Sequence, residues 1–325
     1  MNVDRAAVVR MARRLGGDRR KLARTVGKRT KLLLLGREIR EGLIYKIMLY
    51  WILTNVAVMY MRPFLYMVST MFKSKTDLLD PTVEWIPIEW DAANVWFGLK
   101  FMKYAVTGLH SLTIAGTASV LQVLSCSITG YALARLQFPL RGLWFALVLV
   151  SFLIPPQTIL IPLYILFQKL DMLRTPLPFL VPALFGQGLK GALFVIIFRQ
   201  FFRTLPKELE EAARIDGASA LRLFVRVMLP LARPAILVVF LFSFVWHWND
   251  SYLPSLFLGK EYATLPIQLD NLQSAMGDVP GYVDTNITEQ VYMAASFWFV
   301  APPLLLYLIA QKWFVQGVER TGLVE

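Results

Sequence analysis

The chain has 325 residues, 56% of them hydrophobic and only 17% charged, against about 45–50% and about 25% in soluble domains. The apolar residues gather in blocks near the length of about 20 residues that crosses a bilayer, which excludes a soluble globular domain. The net charge of +12 would suggest nucleic acid in a soluble protein, but in a membrane protein excess Lys and Arg marks cytoplasmic loops, so no nucleic-acid partner is expected.

Taken from the N-terminus, the first 41 residues hold 13 Lys and Arg against four acidic residues. They are too long and too basic for a simple signal peptide, and read as a cytoplasmic extension, either lying on anionic lipid or solvated. Six spans follow, at roughly 43–71, 109–134, 143–168, 177–200, 234–257 and 291–314, with Arg62-Pro63 interrupting the first. The expected fold class is all-α, a polytopic membrane protein with six transmembrane helices. The turn at 135–142 and the segment at 201–233 are basic, whereas the 258–290 loop sets Lys260 against Glu261, Asp270, Asp278, Asp284 and Glu289. The positive-inside rule therefore places both termini and the 201–233 segment in the cytoplasm. Pro155, Pro156, Pro162, Pro178, Pro182, Pro302 and Pro303 remove backbone donors within spans three to six, and such gaps must be covered by neighbouring helices or by water in a cavity.

Between spans four and five the chain reads KELEEAARIDGASALRLFVRVMLPLARP (207–234). Pro206 suits a helix start, and Glu208, Glu210 and Glu211 favour its first turns. Leu209, Ala212, Ala213 and Asp216 share one small, nearly flat face. Gly217 stops that helix, Ser219 caps a second, and Pro230 and Pro234 are expected to end the unit. Chemistry of the chain's own is hard to find. The single cysteine, Cys126, excludes an intrachain disulfide, His110 and His247 lie far apart, and there is no phosphate-binding GxxxxGK[ST] loop.

Glu211-Ala212-Ala213, then Gly217, Val227 and Leu229-Pro230 at fixed spacing, resemble the EAA loop of ABC-importer permeases, with valine where isoleucine is usual. ITGYALARLQFPLRG (128–142), IPPQTILIPLYIL (154–166), FVWHWNDSYLP (244–254) and the ending AASFWFVAPPLLLYLIAQKWFVQGVERTGLVE are similar to successive landmarks of carbohydrate-uptake permeases. Their order resembles the second, six-span permease of maltose-type importers from about residue 70 onward. The resemblance implies the type I importer permease fold. It divides the chain into a basic extension (1–42), a first helix with its outward loop (43–104), a transmembrane domain (105–314) with a coupling hairpin (203–233), and a cytoplasmic tail (315–325).

It also implies a non-catalytic permease of the bacterial inner membrane that imports sugars or oligosaccharides. The expected partners are a second homologous permease, two ATPase subunits that bind ATP and Mg, and an extracytoplasmic solute-binding protein, with no cofactor or metal in this chain. ATPase coupling would fall to Glu211, Ala212, Ala213, Asp216, Gly217, Leu229 and Pro230. For substrate, Trp246 and Trp248 offer stacking faces, while Asn249 and Asp250 are polar groups in or near the fifth span; the same stretch also suits a structural interface role. Alternatives are a non-sugar solute (glycerol-phosphate, polyol or peptide) and an ion-coupled secondary transporter. The latter calls for paired carboxylates or a His/Asp relay at mid-membrane, where Asp250 stands alone.

Overall fold

The structure, a computed structural model, describes residues 42–259, 261–277 and 288–322. The basic extension 1–42, except its last residue, lies outside these, as do residues 278–287 of the acidic loop and residues 323–325 of the tail. Among the described residues the chain is helical, with one isolated bridge between Lys73 and Trp90. It divides into two compact units, residues 1–66 and 67–325.

Helix α1 (Leu43–Thr70) begins in the first unit and ends in the second. It has no polar face, the pattern of a helix surrounded by an apolar medium. The expected interruption at Arg62-Pro63 does not occur: the helix continues through Pro63, whose missing N–H forfeits one hydrogen bond in an otherwise complete ladder.

The second unit is organised around α4 (Tyr104–Arg135). One side of α4 carries Ser111, Ala115, Ser119, Gln122, Cys126, Gly130 and Ala134, all buried. Their spacing of three or four keeps them on one face, and small residues there let other helices approach closely. Packed on α4 are α7 (Leu177–Leu184), α8 (Gly191–Thr204) and α11 (Arg233–Asn249). Gly130 sets the closest approach: a Cβ there would lie 2.6 Å from Phe198 Cβ and 2.9 Å from the Arg199 amide nitrogen.

Among the described residues three helices are long and apolar enough to cross a membrane singly: α1, α4 and the Glu289–Trp313 stretch of α15 (Thr288–Gly322). Two bent pairs meet the same test jointly. Arg141–Leu153 (α5) joins Pro156–Lys169, containing α6 (Leu160–Lys169), through a 97° bend at Pro155-Pro156. Ala220–Leu231 (α10) joins α11 through a 75° bend. The predicted span at 177–200 is two helices, α7 and α8, with residues 185–190 unwound between them. Gln122 makes that break tolerable. Its side-chain amide donates to the carbonyls of Gln187 and Leu189, both at 3.0 Å, and non-helical backbone at membrane depth requires such internal partners.

The segments expected to face outward have short helices of their own. In the first are α2 (Lys75–Leu79), capped by Ser74, and α3 (Ala93–Phe101). Helix α12 (Tyr252–Phe257), which ends the predicted fifth span after a break at Asp250-Ser251, leads to the second, where α13 (Leu265–Asp270) and α14 (Leu272–Gly277) bury Leu265 and Leu272. Helix α3 packs on α15.

Candidate functional site: an anchored hairpin and the end of the fifth span

The hairpin consists of α9 (Glu208–Ile215) and α10. Gly217, at φ +77°, makes the turn in the left-handed region, and the Ser219 hydroxyl accepts from the Arg222 amide as N-cap of α10. The unit ends at Leu231, one residue beyond Pro230. Helix α10 widens into a π turn over Phe224–Met228, where the Leu229 amide bonds the Phe224 carbonyl five residues back, and then runs on to Leu231. A proline lacks the N–H for the next rung and its ring crowds the carbonyl four residues earlier; a local π turn relieves both.

The two sides of α9 differ in chemistry. Leu209, Ala212 and Asp216 are exposed, as are Glu208 and Glu211, while Ala213 turns toward the core formed by Phe198, Phe202, Leu223, Phe224 and Met228. At the tip Ile215 is 85% exposed and Leu221 73%. The sequence reading did not single out Ile215; its signal was a large apolar residue beside a charged turn.

The sequence reading also did not set Glu210 apart from its neighbours. It treated the three glutamates as equivalent, yet Glu210 is buried while its neighbours are exposed. Its carboxylate lies 3.2 Å from Arg135 Nε and 3.9 Å from Arg214. Arg135 ends α4 and also donates through Nε to the Phe202 carbonyl (2.8 Å) and through a terminal nitrogen to the Leu205 carbonyl. Those carbonyls belong to the last turn of α8, whose acceptors have no partner within the helix. One arginine thus ties together α4, α8 and α9.

At the end of α11 the four pathway candidates divide. The Trp246 ring is half-buried, stacks on Phe194 and Phe242, and has Lys190 Nζ 5.7 Å from its centroid. Asn249 is exposed and donates to the Val245 carbonyl at 2.8 Å. Trp248 is buried, stacked on Phe244 and Phe299, with its N–H donated to the Phe299 carbonyl. Asp250 turns one oxygen to the amides of Tyr252 and Leu253 at the start of α12; the other is buried without a hydrogen-bond partner. Nearby His247 is buried against the Ser243 carbonyl at 2.8 Å, and the Ser243 hydroxyl donates to Gln122 at 2.6 Å. Among the described residues no group of three His, Cys, Asp or Glu side chains is placed to hold a metal.

A helical membrane bundle with broken spans and an anchored, partner-sized hairpin has the build of a permease component. Comparison with known proteins places it further. Residues 127–320 match the family described as binding-protein-dependent transport system inner membrane component, and the chain belongs to that family. It is 33% identical over 228 residues to the sn-glycerol-3-phosphate transport system permease protein UgpE of Pectobacterium atrosepticum, covering 69% of this chain and 77% of that one. It is 31% identical over 281 residues to the osmoprotective compounds uptake permease protein GgtD of Synechocystis, covering 84% and 90%. It is similar in fold to a chain of a bacterial ABC transporter involved in the import of the acidic polysaccharide alginate. The TM-score there is 0.70 at 21% identity, covering 83% of this chain and 96% of that one. The chain is a multi-pass inner-membrane permease subunit, a non-catalytic component that works with an ATPase and a solute-binding protein.

Proposed function

We propose that this chain forms half of the translocation pathway of an importer for sugars or oligosaccharides, beside a second homologous permease. Two ATPase subunits carry ATP and Mg, and both termini of this chain face the cytoplasm. Coupling runs through the hairpin, with Glu211, Ala212, Ala213, Asp216 and Gly217 toward the ATPase and Leu229 and Pro230 setting the return to the membrane. The observation that carries this reading is the asymmetry of α9. Its outer side is small, acidic and exposed, and its inner side is held to the bundle by the Arg135–Glu210 pair. A surface built this way can be pushed by a partner without being pulled off the bundle, and a ligand moves a conformational equilibrium only through different contacts in its two states.

For the pathway, Trp246 and Asn249 are the candidates that stand partly open, with Trp248 and Asp250 supporting the shape of the helix end. Sugar C–H faces suit an indole, and a further relative, 28% identical over 285 residues, is the arabinooligosaccharides transport system permease protein AraQ of Halalkalibacterium halodurans, whose name supports a polyhydroxyl substrate. Glycerol-phosphate is the second reading, favoured by Lys190 beside the Trp246 ring and by the name of one relative.

The test is Gly217→Asp and Glu211→Lys in the assembled transporter. Both variants are expected to insert at wild-type levels yet lose at least tenfold in transport and in substrate-stimulated ATP hydrolysis. Full transport by both would overturn the assignment of the hairpin.

A further inference from the structure

A cavity of about 510 Å³ opens behind the hairpin. Its walls come from the turn after α4, the first residue of α5, the end of α8, and Lys207, Glu210, Glu211 and Arg214 on and just before α9, with Glu211 at its exposed rim. Five cationic side chains line it, Arg135, Arg141, Arg203, Lys207 and Arg214, against two carboxylates, Glu210 and Glu211. Most of this charge has other work. Glu210 is held by Arg135 and Arg214, and Arg141 donates to the carbonyls of Leu136 and Ala134. Among the described residues no carboxylate pairs with Arg203 or Lys207.

Just above the cavity the imbalance deepens. Arg199, one helical turn from Arg203 on α8, lies over the Phe145 ring at 3.6 Å. Its Nε is buried with no acceptor. Like charges this close, partly removed from water, call for a counter-anion. Helix α5 also begins at the cavity wall, without a side-chain cap and without an acidic residue in its first turn, so its positive end is unneutralised.

The surface beside the cavity decides between a dissolved anion and a tethered one. Helix α5 buries none of its side chains. Leu140, Leu143, Trp144 and Leu147 stand exposed from the cavity mouth along the helix, Trp144 by 56%, and tryptophan favours the level of the lipid headgroups. A cationic cup continuous with an apolar wall fits a molecule with a phosphate at one end and acyl chains at the other.

We infer that this cavity binds the phosphate headgroup of an anionic phospholipid, with the acyl chains lying along α5. The inference rests on the proposed topology, in which this end of the bundle lies at the cytoplasmic leaflet. The bound lipid supplies the charge that Arg203 and Lys207 lack and props α9 from behind, so that lipid composition sets how firmly the hairpin is presented.

The test is native mass spectrometry of the full-length chain, purified in mild detergent and titrated with phosphatidylglycerol, phosphatidylcholine or inorganic phosphate. Wild type is expected to hold one phosphatidylglycerol selectively. Arg203→Gln/Lys207→Gln is expected to bind it roughly 25-fold more weakly, since each near-surface cation contributes about fivefold. Arg203→Lys/Lys207→Arg should retain binding, as should Arg222→Gln/Arg226→Gln, which removes the same charge from exposed positions on α10. Equal weakening by the Gln pairs at both places, or phosphatidylcholine bound as tightly, would reduce the effect to general charge attraction and overturn the inference. Inorganic phosphate displacing the lipid at equal concentration would overturn the tethered reading. Co-purification of the ATPase, scored in the same samples, separates the two proposals: loss of the ATPase from wild type indicts the coupling reading, whereas selective lipid loss in the cavity variant alone does not touch it.

Discussion

Arg135 makes three connections at once, to the carboxylate of Glu210 and to the terminal carbonyls of α8. Both side chains of the pair are less than one-tenth exposed. Removing one partner of such a pair leaves the other desolvated and unmatched, at a cost of about 3–5 kcal/mol. Arg135→Ala should exceed Glu210→Ala, because it also orphans the Phe202 and Leu205 carbonyls. The Arg135→Ala/Glu210→Ala double variant should cost clearly less than the two single losses added together. Thermal unfolding of the purified chain measures all three, and strict additivity would show that the pair is not coupled. Gly217 makes a second residue-scale test. A Cβ there meets nothing within 4 Å, so only the left-handed backbone opposes a side chain. Asn tolerates that region better than Ala, so Gly217→Asn should retain more transport than Gly217→Ala, an order that a purely steric role would not produce.

Between elements, the contact of α4 with α8 is the tightest, and two glycines of α4 separate packing from propensity. At Gly116 a Cβ would meet nothing within 4 Å, whereas at Gly130 it would press into Phe198 and the Arg199 backbone. Gly116→Ala should therefore raise stability by about 0.5–1 kcal/mol through helix propensity. Gly130→Ala should lower it by about 1–3 kcal/mol through overpacking. Opposite shifts in unfolding temperature are the expected result, and parallel shifts would discount the close approach. These elements also show where the sequence was legible. Apolar run length located the spans, and the Pro206, Gly217 and Ser219 signals located the hairpin, because each acts over a few neighbouring residues. The unwound 185–190 segment escaped that reading, since its stability rests on Gln122, more than sixty residues earlier. Glu210 escaped for the same reason. Nothing local distinguishes it from Glu208 or Glu211; its partner, Arg135, comes from the end of α4. The continuation of α10 through Pro230 needed the π turn, and no sequence pattern announced it.

At the scale of the whole chain, the proposed topology makes the most exposed commitment, since the hairpin, the cationic cavity and the lipid all need the cytoplasmic side. The chain is suited to a direct check. Cys126 is its only cysteine and is fully buried, so single cysteines can be introduced with little background. Leu79 is exposed at the end of α2, and Ala220 is exposed at the start of α10. Leu79→Cys should react with a membrane-impermeant maleimide in intact cells once the outer envelope is opened. Ala220→Cys should react only after the inner membrane is permeabilised. The basic hairpin and the segment that carries α2 would then lie on opposite sides, as the proposed topology requires. Equal labelling of both cysteines in sealed cells, or the reverse order, would invert or abolish the topology. The hairpin could not then meet an ATPase in the cytoplasm, and the cationic cavity would need its anion from another leaflet.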